Sequence, residues 1–295
     1  MYVHFLLGVL LFSHSVLLSG DFINFINATE SISQPKGKKE ENFLWKSPGL
    51  PVIHTDEFNK VMDEIDKKVY IAPKDAAVNK YGEIVPEEVG YRLHRVKFIE
   101  QMYAHYFNDT SSNKGYPLEV IYPKVDSELL ESIRRKKIGR YITSFNKGNK
   151  ERSMNISLAT EAINNSVIFP NEKFSFNQIV GKRTVEKGYL QAPVIIHGKF
   201  SEDIGGGICQ VSSTLFNAVD NAGLNIIQRY SHSRKISYVP PKRDATVSWD
   251  GPDFVFENNY ELPVLIQAKM LGHHLLIEIY SAETISYQPR KVPYL

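Results

Sequence analysis

Gly205-Gly206-Gly207 runs straight into Ile208-Cys209-Gln210-Val211-Ser212-Ser213-Thr214-Leu215-Phe216, and no other stretch narrows the folding options of this chain as much. Three successive glycines permit positive φ and close approach of backbones. Val211, Leu215, Ala218, Val219 and Ala222 then recur at helical spacing until Gly223 stops the helix. Beyond Gly223 the chain reads as strands at Asn225 to Tyr230, Val247 to Trp249, Phe254 to Glu257, Val264 to Met270 and Leu275 to Tyr280. Asp250-Gly251, Asn258-Asn259 and Leu271-Gly272 separate the last four, turn chemistry that favours an antiparallel meander. Upstream, Met154, Ile156, Leu158, Ala159, Ala162 and Ile163 read as a further helix. Residues 141–283 are therefore expected to form an α+β domain with a mainly antiparallel sheet, its glycine loop leading into a helix that carries the single cysteine.

The 295 residues suffice for about two domains, and 42% hydrophobic content supports packed cores, which sets aside disordered and collagen-like readings. Lys+Arg 35 against Asp+Glu 33 leaves a formal charge of +2, without the clustered basic footprint that a nucleic-acid partner requires. One cysteine excludes an intrachain disulfide and a CxxC zinc or redox site. Tyr2 to Gly20 is an apolar run read as an export signal or membrane anchor, although the first basic side chain is Lys36. Residues 21–50 are polar and Lys/Glu-rich, the composition of a flexible linker. In residues 51–127, Phe58, Val61, Met62 and Ile65, then Phe98, Ile99, Met102 and Tyr103, give two helical patterns. Strand-like runs at Ile84 to Val89 and Leu118 to Tyr122 complete a small α+β domain, in which Glu87, Glu88 and His94 read as solvated. Residues 128–140, with Arg134, Arg135, Lys136 and Lys137, read as a charged helical connector, and residues 284–295 as a C-terminal tail.

Cys209 falls at the start of its helix, where unpaired backbone N–H groups and the macrodipole favour a thiolate. The glycines beside it leave room for a substrate carbonyl, and N–H groups of the same turn are placed to hold an oxyanion. The competing reading makes Cys209 a small buried hydrophobe. A proton carrier can be located by length alone. The helix from Cys209 to Ala222 runs about 21 Å at 1.5 Å per residue, and a returning strand recovers that in roughly six to seven residues. His232 therefore lies level with Cys209 as the base of a Cys–His pair, and Asp244 comes next as the group that orients the imidazole. Arg243 either grips a substrate carboxylate in bidentate fashion or pairs structurally with Asp244. His197 reads as a strand-end residue, and His273 and His274 as a hairpin turn. None has acidic partners at metal-ligand spacing, so neither metal nor cofactor is expected.

Several ordered blocks resemble the VanW family of cell-envelope proteins: Phe174-Ser175-Phe176-Asn177, Gly188-Tyr189, Gly205 to Ser212, His232-Ser233, Tyr238-Val239-Pro240-Pro241, Arg243-Asp244-Ala245-Thr246-Val247 and Asn258-Asn259. The resemblance spans about Ile142 to Ser281. Ala72-Pro73-Lys74-Asp75-Ala76 and Gly82 to Gly90 are similar to the peptidoglycan-binding domain that often precedes VanW domains. The family includes cysteine-dependent L,D-transpeptidases, which implies Cys209 as nucleophile, peptidoglycan stem peptides and wall polymer as partners, and a secreted or membrane-anchored location outside the cytoplasm. Gly205, Gly206, Gly207, Gln210, Ser212 and Arg243 are expected to line the substrate. Water in place of an acceptor amine implies a carboxypeptidase. The alternative is a non-catalytic peptidoglycan-binding or glycopeptide-resistance accessory protein, in which Cys209 is structural.

Overall fold

The computed structural model describes residues 44–45, 52–53, 55–108, 115–196 and 199–295. The expected signal over residues 1–20, nearly all of the linker over 21–50, and His197 lie outside the described residues. Within that linker Leu44–Trp45 is a short strand paired antiparallel with Val52–Ile53. Among the described residues no helix is long and apolar enough to cross a membrane. The chain divides into two compact units, residues 1–73 with 89–122, and residues 74–88 with 123–295.

In the first unit the helix Thr55–Val69 matches the periodicity seen in the sequence and buries Phe58, Met62 and Val69 with Leu93 and Phe98. Gly90–Leu93 pairs antiparallel with Leu118–Ile121, and the helix Arg95–Asn108 lies between them in the chain. The Asp66 carboxylate accepts from the Leu93 N–H at 2.8 Å, which ties the first helix to the strand.

The second unit is α+β, with a four-stranded antiparallel sheet in the order Lys136–Ser144, His274–Ser281, Val264–Leu271, Val167–Ile168. Against it packs the helix Ile208–Asn221, called here the cysteine helix. At Gly139 a Cβ would stand 2.5 Å from the Ala218 carbonyl, so this strand and helix meet backbone to backbone. Val211, Leu215, Ala218 and Val219 on the helix are fully buried, as are Ile156, Ala159 and Ile163 of the helix Lys150–Ile163. A second sheet joins Asn225–Gln228, Val255–Glu257 and Lys173–Ser175, and Gln191–Ile196 forms a hairpin with Lys199–Ile204.

Several sequence expectations are corrected. The connector over 128–140 is the short helix Ser127–Ile133 and then the first half of a sheet strand, and Leu130 and Ile133 are buried against Ala76, Val125 and Leu265. Its cations misled because they satisfy partners within the fold: Arg134 and Arg135 pair with Glu131, and Lys137 with Glu278 at 3.0 Å. Residues 74–88 belong to the second unit, because Asn165 accepts from the Val78 N–H at 3.0 Å and donates to its carbonyl at 3.1 Å. In the same segment Glu87, expected to be solvated, accepts from the Ser127 N–H and hydroxyl at 2.9 and 2.5 Å. The tail over 284–295 is docked: Ile285 and Val292 are buried, and Tyr141 Oη donates to the Pro293 carbonyl at 2.9 Å. The meander reduces to one hairpin, Val264–Leu271 with His274–Ser281, since Val247 to Trp249 is irregular and Val255–Glu257 joins the other sheet. The buried Asn258 side chain sits at that switch, donating to the Ile168 and Leu262 carbonyls at 2.9 Å each.

Candidate active site

The cysteine helix begins at a crowded glycine loop. Gly207, at φ 106°, precedes the first helical residue without a side-chain cap. A Cβ on Gly206 would stand 2.5 Å from the Ala192 carbonyl, while the Gly206 carbonyl accepts from the buried Asn155 amide at 3.0 Å. The same amide donates to the Leu190 carbonyl at 2.9 Å, and Asn155 Oδ1 accepts from the Leu190 N–H at 2.8 Å. On their Cβ sides the other two glycines are also closely packed: a Cβ on Gly205 would meet the Arg183 stem at 3.2 Å, and one on Gly207 the Arg152 stem at 2.8 Å.

Cys209 is partly exposed at the end of this loop. Its Sγ is 3.4 Å from the Val247 carbonyl and 3.7 Å from Thr246 Oγ1. After the strand Asn225–Gln228 the chain brings His232 near enough to the Cys209 thiol for each group to shift the titration of the other. On its other side the imidazole Nδ1 lies 2.7 Å from Asp244 Oδ2, and the same oxygen accepts the His232 backbone N–H at 2.5 Å. One carboxylate thus grips both the ring and the backbone of the histidine. With side-chain exposures of 7% and 8%, the two groups are shielded from water that would weaken the pair.

Asp244 stands on a segment without regular secondary structure, and the cysteine helix holds it there. Ser212 Oγ donates to the Ala245 carbonyl at 2.6 Å, Ser213 Oγ accepts from the Ala245 N–H at 2.9 Å, and Asn217 Nδ2 donates to the Arg243 carbonyl at 2.7 Å. The electrostatics of the three groups agree. Burial pushes the Cys209 thiol up, but the interactions with His232, with a smaller contribution from the Thr246 hydroxyl, bring it below the ordinary thiol value. Burial pushes the His232 imidazole down, and its bonds and charge interactions with Cys209 and Asp244 outweigh this and raise it. Burial raises Asp244, and the His232 backbone N–H and ring bring it below the ordinary carboxyl value. All three directions favour a thiolate–imidazolium pair oriented by a carboxylate.

Three other candidates are held within the fold. Gln210 is buried, accepts from Arg152 Nη2 at 2.7 Å, and donates to Thr143 Oγ1 and the Ser144 carbonyl at 3.0 and 2.9 Å. Ser212 is fully buried on the Ala245 carbonyl. Arg243 donates to Asn217 Oδ1 and Asp220 Oδ2 at 2.7 Å each and lies over the Phe216 ring at 4.6 Å, so it pairs with Asp220 and not with Asp244. Two arginines join the site that sequence reasoning missed. Arg152 and Arg183 are both near enough to Cys209 to feel its charge, yet burial lowers the pKa of each guanidinium. Arg183 Nη2 donates to Asn177 Oδ1 at 2.8 Å, whereas its Nη1 is buried with no hydrogen-bond partner among the described residues. Leaving such a donor unpaired costs about 1–3 kcal/mol. Tyr238, pushed far up by burial and by the Cys209 charge, completes the surroundings of the thiol. Arg152 and Arg183 carried no sequence signal, since each is one of 35 basic residues without a spacing tied to Cys209.

The family model described as VanW like protein matches residues 151–280. The uncharacterized protein YoaR of Bacillus subtilis strain 168 is 53% identical over 253 residues, covering 86% of this chain and 84% of YoaR. The chain belongs to the VanW family. The vancomycin B-type resistance protein VanW of Enterococcus faecalis is similar over a shorter span, 27% identical over 138 residues, or 45% of this chain and 50% of that protein. No solved structure matches. The VanW match contains the glycine loop, the cysteine helix, His232 and Asp244, so the whole Cys–His–Asp arrangement lies in the part shared with the family.

Proposed function

We propose that this VanW-family protein works in the cell envelope as a cysteine acyltransferase on peptidoglycan stem peptides, with L,D-transpeptidase chemistry. The observation that carries the reading is the His232–Asp244 pair, whose 2.7 Å Nδ1–Oδ2 contact leaves Nε2 as the ring nitrogen for the thiol, together with the lowering of the Cys209 pKa by His232. The family supports the substrate class, because one relative is by name a vancomycin resistance protein. The apolar run from Tyr2 to Gly20 supports a location outside the cytoplasm. Residues 51–127, which carry the resemblance to a peptidoglycan-binding domain, are proposed to hold the wall polymer.

In this mechanism the Cys209 thiolate attacks the carbonyl of the third stem residue. The amide C–N bond breaks, the His232 imidazolium gives its proton to the leaving amine of the terminal D-amino acid, and a thioester remains on Sγ. The amine of a neighbouring stem then attacks the thioester, His232 takes its proton, and the thiolate departs as the cross-link forms. Water as acceptor gives the trimmed peptide. A non-catalytic accessory role gives no reason for an imidazole, oriented by a carboxylate, to lower the pKa of the one thiol.

Incubating the protein and its Cys209→Ala variant with muropeptides tests the assignment. The expected result by mass spectrometry is a cross-linked or trimmed product with the native protein and none with the variant. Identical product profiles, with no acyl adduct on Cys209, would overturn it.

A further inference from the structure

The acyl-transfer reading leaves open which residue holds the free end of the donor peptide, and two arginines packed on the glycine loop bear on this. Their stems pack on either side of the glycine loop, Arg183 against Gly205 and Arg152 against Gly207. Neither is in an ion pair among the described residues: Arg152 donates to the neutral amide of Gln210, and Arg183 to that of Asn177. Asp253 is the carboxylate whose charge reaches Arg183, but its oxygens are taken by the Ser175 hydroxyl at 2.5 Å and the Asn177 and Phe254 N–H groups at 2.9 and 2.7 Å. Elsewhere in this unit Arg243 and Arg290 both reach Asp220, at 2.7 and 2.9 Å. Two guanidiniums without carboxylate partners among the described residues, one with the buried, unpaired Nη1, thus extend from stems packed on the glycine loop that leads to Cys209. A guanidinium presents planar paired donors that match a carboxylate.

We propose that Arg183, supported by the charge of Arg152, binds the free α-carboxylate of the leaving residue, one residue beyond the carbonyl that Cys209 attacks. The inference rests on the acyl-transfer reading and deepens it: it names the residue that makes the donor peptide end at the leaving residue. Arg183 as a whole is only partly buried, and its Nη1 has no hydrogen-bond partner among the described residues to give up to a carboxylate. Substrates whose terminal carboxylate is amidated or extended lose this partner.

The test compares alkylation of Cys209 in the full chain by iodoacetate, a carboxylate reagent, and by iodoacetamide, its neutral analogue. The ratio of the two rates cancels any change in the thiolate fraction. Arg183→Gln is expected to lower the ratio about tenfold, the low end of what a focused charge contributes to local concentration. Lys182→Gln, which removes an adjacent charge, is expected to change it less than about twofold. An unchanged ratio in Arg183→Gln, or an equal fall in Lys182→Gln, overturns the carboxylate site while leaving a reactive nucleophile in place. A native thiol inert to both reagents overturns the acyl-transfer reading, and this inference with it. Should Arg183→Gln fail to fold, protection of the native protein decides. N-acetyl-D-alanine is expected to slow iodoacetamide labelling and N-acetyl-D-alaninamide to leave it unchanged. Equal protection by both, or by neither, overturns the proposal.

Discussion

The two units bury different kinds of residue. The core of the first is Phe58, Met62, Val69, Leu93 and Phe98, with ion pairs such as Arg95–Asp63 left at its surface. In the second, the cysteine helix buries Gln210, Ser212, Ser213, Thr214 and Asn217 to 1% exposure or less beside its apolar face. Burying five polar side chains on one helix is unfavourable unless each finds partners. Here each does, and the partners of Ser212, Ser213 and Asn217 are the backbone groups of residues 243–245. An apolar core holds elements together without regard to a particular atom. A hydrogen-bonded polar face also fixes where an irregular segment lies, and this one carries Asp244.

The contrast can be broken most severely at Gly206. Gly206→Ala would place a methyl 2.5 Å from the Ala192 carbonyl, and denaturant unfolding is expected to show a loss of about 3 kcal/mol or more in the second unit. A loss below about 1 kcal/mol would mean that the loop can shift and is no rigid support. Asn217→Ala comes next. It strips partners from the Arg243 carbonyl and Nε, with an expected cost of roughly 2–3 kcal/mol and slower labelling of Cys209 as Asp244 drifts. Destabilisation with unchanged labelling would separate the polar face from the site.

His232→Ala sharpens the comparison through pH. The lowered Cys209 pKa means that thiolate persists as pH falls below the ordinary thiol range, so native alkylation stays fast there. Removing the imidazole leaves burial less opposed, and the rate profile is expected to move to higher pH, about tenfold slower per unit at neutral pH. A profile that does not move would refute the Cys–His pair. The signs for stability run oppositely in the two partners. The Cys209 contribution is present above its unfolded pKa and lost as pH falls through its folded value. That of His232 is present below its unfolded pKa and lost as pH rises through its raised folded value. The smallest effect belongs to the first unit. Arg95→Ala breaks an exposed ion pair and is expected to cost less than about 1 kcal/mol by the same unfolding assay.

Much of the site was legible because its signals are local or depend on length. Cys209 stands at a glycine-led helix start, and the return distance from that helix placed His232 without any tertiary knowledge. The Thr55–Val69 and Lys150–Ile163 helices declared themselves by apolar spacing. Other features were misread where one signal serves two ends. Arg134 to Lys137 looked like a solvated helix face, yet the period changes there from helix to strand and the cations find Glu131 and Glu278. Asn258-Asn259 looked like a tight turn, while the Asn258 side chain spans two sheets.

By itself the sequence determined which residues have the chemistry: a single thiol at a helix start, an imidazole within reach, a carboxylate beyond it, and α+β elements around them. Only the tertiary structure decided which partner each polar group takes. Gln210, Ser212 and Arg243 sit in the same motifs as Cys209 and Asp244 but spend their hydrogen bonds inside the fold, while Arg152 and Arg183 arrive beside the thiol from distant parts of the chain. The physical reason is range. Backbone propensity and apolar periodicity act over a few neighbouring residues, whereas the pairing of a buried donor with an acceptor depends on distances that exist only once the chain has closed on itself.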